Sequence, residues 1–249
     1  MTYAPTPVAL ITGAARRIGA SLARELHHCG FNLILHYRQS HQEAQALARV
    51  FNELRPDSVI TLQADLNRQD GLQSLADRAC HHWQRLDALI NNASAFYPTP
   101  IGTATEQEWD DLMGSNLKAP FFLSQALLKP LRHSKGCIIN IADVYASRPL
   151  KDHTIYSIAK AGNVMLTQSL ARELAPDIRV NGIAPGAILW PESPQQDNAD
   201  YISDILHKIP LNRRGHADDI ARTARFLITE APYVTGQIIA VDGGRSIHI

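Results

Sequence analysis

The chain has few of the features that mark secreted or membrane-spanning proteins. Its three cysteines, Cys29, Cys80 and Cys137, are an odd number and have no C-x-x-C spacing, which argues against a disulfide framework or a zinc site. No apolar run approaches the roughly 20 residues of a transmembrane helix. The first residues include no basic segment of the kind found in signal peptides. We therefore expect a cytoplasmic protein.

The sequence also has no excess of charge of either sign. Its 24 Lys and Arg residues balance 24 Asp and Glu residues, so the formal net charge is +0. No overall field attracts nucleic acid or an anionic membrane. Eleven histidines occur, but the pairs His27-His28 and His81-His82 are adjacent, and adjacent side chains of a helix point in different directions. We expect no nucleic-acid partner, no membrane partner and no metal site.

What the chain does contain is an alternation of short β-branched runs with longer amphipathic runs. Its 249 residues fit one α/β domain spanning 1–249. Predicted strands cover residues 8–12, 31–37, 58–63, 88–90, 137–141, 179–183 and 237–241, with helical stretches between them. Such alternation predicts a Rossmann-type, doubly wound parallel sheet with helices on both faces.

One late segment, from Ala187 to Asp200, does not follow this alternation. It is polar and contains Trp190 and two prolines. A loop that closes over an active site and an ordinary surface excursion explain this composition equally well.

A glycine-containing turn from Thr12 to Gly19 joins the first predicted strand to the first helix. Glycine at Gly13 and Gly19 lets the backbone curl tightly and approach a ligand, and the N-terminus of the new helix attracts a pyrophosphate. A plain strand-to-helix turn would use the same glycines. Its position in the first βα unit favours a dinucleotide site.

The end of the second strand indicates which dinucleotide is bound. A site for NAD generally has an Asp or Glu there, which bonds the ribose 2′-hydroxyl. Here no carboxylate is present, and the strand ends in Leu35, His36, Tyr37, Arg38, Gln39 and Ser40. Arg38 and Ser40, with Arg17 or His36 as further candidates, suit a 2′-phosphate. An exposed basic strand end is the alternative, but the missing acid favours NADP(H).

Tyr156 and Lys160 are four residues apart and therefore share one face of a predicted helix. A free phenol titrates near pH ~10, and a lysine ammonium beside it favours the phenolate and lowers its pKa. The spacing alone is common, but this pair follows the fifth strand of a chain that opens with a dinucleotide turn. We expect Tyr156 to exchange a proton while the nicotinamide carries a hydride.

Together these motifs resemble the short-chain dehydrogenase/reductase family along nearly the whole chain. Further matches are Asp65, Asn91-Asn92-Ala93, Asn116, Asn181, Pro185-Gly186 and Val241-Asp242-Gly243-Gly244. The resemblance implies that Asp65 borders the adenine, that Asn91 lies along the cofactor and that Asn116 shapes a water site for proton relay.

The full cofactor site implied by the resemblance comprises Gly13, Arg17, Ile18, Gly19, His36, Tyr37, Arg38, Ser40, Asp65, Leu66, Asn91, Ala93, Ser94, Lys160, Pro185 and Gly186. Lys160 would hold the nicotinamide ribose. Family members are commonly tetramers, so we expect a homotetramer assembled partly through the helix that carries Tyr156 and the helix before it.

Two positions depart from the common family pattern. Arg17 replaces the middle glycine of the turn, and Asp143 replaces the serine that usually precedes the tyrosine by about a dozen residues. A serine hydroxyl would bond a carbonyl substrate, whereas a carboxylate repels a developing alkoxide. A carboxylate suits a substrate rich in N–H donors and protonatable ring nitrogens.

Both departures, together with the Asn-Asn-Ala-Ser-Ala-Phe-Tyr-Pro segment at 91–98, resemble the pteridine reductase branch of the family. Its members reduce oxidised or dihydro-pterins, and sometimes folates, with NADPH. The resemblance implies that Phe96 stacks the pterin against the nicotinamide, that Ser94 and Arg17 contact both cofactor phosphate and substrate, and that Asp143 and Tyr156 bond the pterin and manage protons. The alternatives are a core aromatic for Phe96, a turn cap for Asp143 and a solvated helix residue for Arg17.

Three hypotheses about function follow. The leading one is an NADPH-dependent reductase of a small-molecule pterin, with Asp143, Tyr156, Lys160 and Asn116 as catalytic residues. The second is an NADPH-dependent carbonyl reductase, acting for example on 3-oxoacyl thioesters, in which Asp143 is merely tolerated. The third is a non-catalytic NADP(H) sensor, which would have no need of the Tyr156/Lys160 pair.

Overall fold

The computed structural model describes residues 6–188 and 199–247. In this part of the chain strands and helices alternate as predicted. The elements are β1 (Val8–Ile11), α1 (Arg17–His28), β2 (Asn32–Tyr37), α2 (His41–Leu54), β3 (Val59–Gln63), α3 (Gln69–Trp83), β4 (Ala88–Asn91), α4 (Glu106–Met113), α5 (Ala119–Ala126), α6 (Leu128–Ser134), β5 (Cys137–Ile141), α7 (Thr154–Leu174), β6 (Arg179–Pro185), α8 (Ala199–His207), α9 (Ala217–Thr229) and β7 (Ile238–Val241).

The seven strands form one parallel sheet in the order β3-β2-β1-β4-β5-β6-β7. Leu10 of β1 pairs with Ile34 of β2 on one side and with Leu89 of β4 on the other. The strand order therefore reverses direction at the β1/β4 boundary, which is where ligands bind in doubly wound sheets. The predicted Rossmann-type α/β fold is confirmed, and β6 runs two residues further than predicted, to Pro185.

The strands are mainly apolar because the sheet is covered on both faces. Ile11 packs into a core that includes Leu22 of α1 and Leu227 of α9. Its neighbour Leu10 packs into the opposite core, with Leu75 of α3 among its members. Successive side chains of a strand point to opposite faces, so β1 contributes to both layers.

Two features of the loop after β4 hold the glycine turn in place. The Thr12 hydroxyl accepts hydrogen bonds from the backbone N–H groups of Asn92 (2.9 Å) and Ala93 (3.0 Å). The Asn92 side chain donates to the Thr12 carbonyl at 2.8 Å. These bonds join the carboxyl ends of β1 and β4 into one rim, on which the candidate site is built.

Of the segment from Ala187 to Asp200, residues 189–198, including Trp190, lie outside the described residues. In the chain from 6 to 188 and from 199 to 247, no helix combines the length and the apolar character that a membrane crossing requires.

Candidate active site

A cavity of about 800 Å³ opens along the carboxyl edge of the sheet. Most of the residues predicted for the site line it: Gly13, Arg17, Ile18, Gly19, His36, Tyr37, Arg38, Ser40, Asp65, Leu66, Ala93, Ser94, Phe96, Asp143, Tyr156, Lys160, Pro185 and Gly186. Asn91 and Asn116 are not among the lining residues.

The turn between β1 and α1 needs its two predicted glycines. Gly13 has a φ of +61°, and a Cβ on Gly19 would lie 2.1 Å from the Gly13 carbonyl oxygen. The cap residue Arg16 makes no side-chain bond to the first turn of α1. The N–H groups of that turn therefore keep the capacity to bind an anion in the cavity.

Arg17, the residue that replaces a turn glycine, adopts the left-handed backbone conformation that glycine favours, with a φ of 55°. A side chain in this region costs conformational energy of the order of 1 kcal/mol. Its side chain is exposed and lines the cavity. Arg17 therefore adds a cation to the turn in a backbone conformation that glycine also adopts.

His36 does not supply charge to a phosphate, contrary to one of the possibilities considered above. Its ring is buried, with Nδ1 accepting from the Gly13 N–H (3.2 Å) and Nε2 lying 3.1 Å from the Ala64 carbonyl. Burial lowers the pKa of His36 to about 4. The neutral ring therefore links the glycine turn to the end of β3.

Arg38 and Ser40, the strand-end residues predicted to bind a 2′-phosphate, both line the cavity. The Ser40 hydroxyl stands at the start of α2 without capping it. The Arg38 side chain is 50% exposed, and its Nη1 lies 3.7 Å from a carboxylate oxygen of Asp111. The sequence pattern shows no acid at the end of β2, yet one approaches from α4.

Asp111 is held in place by two further groups. Asn67 donates to its Oδ1 at 2.8 Å, and the Tyr97 hydroxyl donates to its Oδ2 at 3.0 Å. Burial and the Asp111 carboxylate raise the pKa of Tyr97 to about 12. Asp111 thus connects the basic strand end to the loop that carries Phe96.

The two asparagines outside the cavity are buried and hydrogen-bonded to other parts of the chain. Asn91 donates to the Asn140 side chain at 2.8 Å. Asn116 lies in a π-helical turn (Gly114–Lys118) and donates to the Ala95 and Leu112 carbonyls, each at 2.9 Å. Its Oδ1 accepts a 2.6 Å bond from the Ser94 hydroxyl. In this structure Asn116 fixes Ser94 at the cavity wall.

Asp143 and Tyr156 meet at the inner end of the cavity. The Tyr156 hydroxyl donates a 2.7 Å hydrogen bond to Asp143 Oδ2, while Asp143 Oδ1 accepts from the Tyr145 N–H at 2.9 Å. Asp143 is therefore both a turn cap and a partner of the tyrosine. Oδ1 has the capping role, and Oδ2 has the contact with the tyrosine.

The electrostatics of this pair differ from the sequence-based expectation. Burial, followed by the charge of Asp143 and the hydrogen bond to it, raises the pKa of Tyr156 well above 10. Burial also raises the pKa of Asp143. The prediction that Lys160 lowers the pKa of Tyr156 is wrong for this arrangement, because burial and the neighbouring carboxylate dominate. Tyr156 is therefore a neutral phenol that retains its proton.

Lys160 lies beneath the tyrosine with 2% of its surface exposed. Its Nζ donates to the Ile141 carbonyl at 2.8 Å and lies 5.7 Å from the centroid of the Tyr156 ring. Burial lowers the pKa of Lys160 to about 8. The ammonium is thus fixed by the end of β5. Because its pKa is about 8, it loses its proton only slightly above neutral pH.

Phe96 is not a core aromatic, because 45% of its surface is exposed. It stacks on the His153 ring at a centroid distance of 4.8 Å and an interplanar angle of 21°. It also contacts Tyr156 edge-on at 4.8 Å and 76°. The loop after β4 thus carries an exposed flat ring beside the Asp143–Tyr156 pair.

Sequence reasoning missed Arg245, which also lines the cavity. Gly243 and Gly244, both with positive φ, reverse the chain after β7. The Arg245 guanidinium then lies over the Tyr145 ring at 5.6 Å. Two consecutive glycines indicate a tight reversal, but no local signal tells which cavity the next side chain enters.

In the described part of the chain, no group of three or more His, Cys, Asp or Glu residues is arranged to hold a metal ion. The site is therefore composed of a glycine turn, a basic strand end, a phenol–carboxylate pair, a buried lysine and an exposed aromatic ring.

Known proteins are similar to this chain over almost its full length. A family model described as enoyl-(acyl carrier protein) reductase matches residues 13–246. The chain is 38% identical to pteridine reductase 1 of Leishmania tarentolae over 99% of both chains. It is 37% identical to a 3-oxoacyl-(acyl-carrier-protein) reductase of Staphylococcus aureus over 96% of this chain and 98% of the relative. Overall identity thus does not separate a pterin from a 3-oxoacyl thioester as substrate.

Proposed function

The chain belongs to the short-chain dehydrogenase/reductase family and is an NAD(P)-dependent oxidoreductase, and we propose that it uses NADPH to reduce dihydropterins to tetrahydropterins. An oxidised pterin or dihydrofolate is a further substrate of the same reaction type. The observation that carries this proposal is the 2.7 Å hydrogen bond between Tyr156 and Asp143 at the inner end of the cavity.

The shape of the cavity supports a dinucleotide. The backbone of the turn leaves no room for a side chain at Gly19 and little at Gly13, so the N–H groups at the start of α1 remain accessible to a pyrophosphate. Arg38 and Ser40 line the cavity, and the Ser40 hydroxyl does not cap α2. A guanidinium and a hydroxyl suit a 2′-phosphate, which supports NADPH over NADH. Lys160, fixed by the Ile141 carbonyl, would hold the ribose next to the nicotinamide.

The carboxylate of Asp143 supports a substrate with nitrogen at the reacting bond. When bound, NADPH supplies a hydride, which adds to the carbon of a pterin C=N bond while a proton goes to the nitrogen. A negative charge beside this bond stabilises its protonated, cationic form. The same charge would oppose the alkoxide that forms from a ketone.

The residues of the chain divide this work between them. Tyr156 holds a proton on its hydroxyl, and its raised pKa keeps the proton there until the nitrogen of the C=N bond gains negative charge and becomes the stronger base. Asp143 accepts hydrogen bonds from N–H groups of the pterin, and it orients the Tyr156 hydroxyl. Phe96 provides a flat surface on which a planar heterocycle stacks with its edge free for hydrogen bonds.

The direct test is NADPH oxidation with dihydrobiopterin, dihydromonapterin and dihydrofolate, each compared with a 3-oxoacyl thioester. We expect turnover of at least one pterin at a higher kcat/KM than that of the thioester. If none of the pterins is reduced, the proposal is wrong.

A carbonyl reductase is the second candidate, because the chain is nearly as similar to a 3-oxoacyl-(acyl-carrier-protein) reductase as to a pteridine reductase. In that case Asp143 would have to be protonated or displaced when the ketone binds. A higher kcat/KM for the 3-oxoacyl thioester than for any pterin would establish this candidate.

Arg38→Ala should weaken the binding of NADPH about 10- to 100-fold, as expected when a hydrogen bond to a charged group worth about 1.5–3 kcal/mol is lost. The Kd of NADH should change little, because NADH has no 2′-phosphate. Both constants can be measured by nicotinamide fluorescence. The matched control is Arg49→Ala, which removes an exposed arginine of α2 outside the cavity. Equal losses for both cofactors would show that Arg38 does not recognise the 2′-phosphate.

We also propose that residues 1–249 act as one domain and assemble as a cytoplasmic homotetramer. Strands from Val8 to Val241 share one sheet, which supports the first point. Ile158 and Met165 expose apolar surface on α7, the helix that carries Tyr156 and is expected at the subunit contacts. The three cysteines are unpaired, which suits a reducing compartment.

A further inference from the structure

Arg245 occupies an unusual position at the wall of the cavity. It is partly buried, it follows the chain reversal at Gly243 and Gly244, and its guanidinium lies over the Tyr145 ring. An arginine stacked on an aromatic ring keeps its five N–H donors in the plane of the guanidinium, where they are directed away from the ring. Tyr145 therefore serves as a platform that presents these donors.

Three other cations that line the cavity have carboxylate partners. Arg16 lies 3.6 Å from Glu43, Arg38 lies 3.7 Å from Asp111, and Lys208 lies 2.6 Å from Asp204. By contrast, Arg245 makes no side-chain hydrogen bond and no ion pair with the side chains described in 6–188 and 203–247. A partly buried charge without a partner is costly, and an anion that entered the cavity would remove this cost.

Asp143 is not the missing partner of Arg245. Its two oxygens accept from the Tyr156 hydroxyl and the Tyr145 N–H. The charge of Arg245 acts on Asp143 only at longer range, where it opposes the rise in the pKa of that carboxyl. The cavity thus has an anionic position at Asp143 and a separate cationic position at Arg245.

We propose that Arg245 forms a subsite for a carboxylate on the side chain of the substrate, so that the enzyme favours pterins with a carboxylated side chain. This inference rests on the proposed pterin reductase function. The pterin ring meets Asp143 and Phe96, and the side chain extends toward Tyr145, where the guanidinium binds a carboxylate through two parallel hydrogen bonds. Dihydrofolate, with its glutamate carboxylates, is a substrate of this class, whereas dihydrobiopterin has an uncharged side chain.

The test compares the two substrates in Arg245→Gln, with saturating NADPH. We expect the KM for dihydrofolate to rise about 10- to 100-fold, the loss that follows from one charge-assisted contact. The kcat for dihydrofolate and the KM for dihydrobiopterin should stay within about twofold, a change too small for a lost ionic contact. Arg245→Lys should recover part of the affinity, because it restores the charge but not the paired geometry.

The matched control is Arg132→Gln, which removes an exposed arginine of α6 that does not line the cavity. An equal rise in KM for both substrates would show that Arg245 acts through the structure of the site, and an unchanged KM for dihydrofolate would show that it binds no carboxylate. Either result overturns the inference.

The proposed function and this subsite fail in distinguishable ways. If the wild-type protein reduces neither substrate, the proposed function fails, and calorimetric binding of folate to the NADP⁺-loaded protein decides about the subsite. Binding that is lost in Arg245→Gln supports the subsite. Equal binding by both proteins, or no binding, rejects it.

Discussion

Tyr156→Phe is expected to lower the kcat of pterin reduction about 10²- to 10⁴-fold, the range found when a positioned proton donor is removed. The phenol is the group with a proton at the inner end of the cavity, and its pKa is raised by burial and by Asp143. The ring that packs against Phe96 is retained in phenylalanine. Steady-state kinetics with NADPH and dihydrobiopterin measures the loss.

The Kd of NADPH should change little in this variant, because Lys160 remains bonded to the Ile141 carbonyl. Tyr233→Phe is the matched control, since Tyr233 is fully exposed to solvent. A kcat within threefold of wild type would contradict the role of Tyr156 and leave Asp143 as the proton donor. If Tyr156→Phe kept full cellular function together with cofactor binding, the NADP(H) sensor would replace the enzyme as the better hypothesis.

Asp143→Asn is expected to reduce kcat/KM for pterins about 10²- to 10³-fold, as when one preorganised electrostatic group is removed from an active site. Asparagine has nearly the same shape and can still accept from the Tyr145 N–H. What disappears is the negative charge that favours the protonated C=N bond. The measurement is pterin reduction at saturating NADPH, with the melting temperature as a check on folding.

A spectroscopic measurement separates charge from structure in this variant. The Asp143 carboxylate raises the pKa of Tyr156, so its replacement by a neutral amide should lower that pKa. Phenolate absorbance during a pH titration, with Asp143→Asn/Tyr156→Phe as the reference, reports this one tyrosine. If the pKa did not fall and pterin reduction were unchanged, the assignment of Asp143 would be wrong.

The sheet and the glycine turn could be predicted from sequence because their signals are local. Buried parallel strands are short apolar runs, and the sequence predicts β5 with the bounds that the structure has, Cys137–Ile141. The requirement for Gly13 and Gly19 follows from the turn that joins β1 to α1. Each of these features depends on a few neighbouring residues.

The electrostatics of the site could not be predicted in this way. The pKa of Tyr156 depends on how deeply α7 buries it and on a carboxylate from the end of β5, and neither can be read from the spacing to Lys160. His36 looks like a candidate phosphate ligand in the sequence. Its burial between the turn and β3 makes it neutral.

The remaining site residues that the sequence does not predict come from distant parts of the chain. Asp111 reaches Arg38 from α4, and Arg245 enters the cavity after β7. A pattern search near the end of β2 finds no acid because the acid lies on another element. The closing Gly243-Gly244 turn predicts a reversal of the chain but not the destination of the next side chain.

The contact between Arg38 and Asp111 has a consequence for protein engineering. A common way to convert an enzyme to NADH is to place an acid at the end of the second strand, where it bonds the ribose. Here an Arg38→Asp exchange would set a carboxylate beside Asp111, and two like charges at that distance repel. Asp111 also accepts a hydrogen bond from the hydroxyl of Tyr97, the residue that follows Phe96 in the chain. A redesign of the cofactor preference must therefore replace the residues at positions 38 and 111 together.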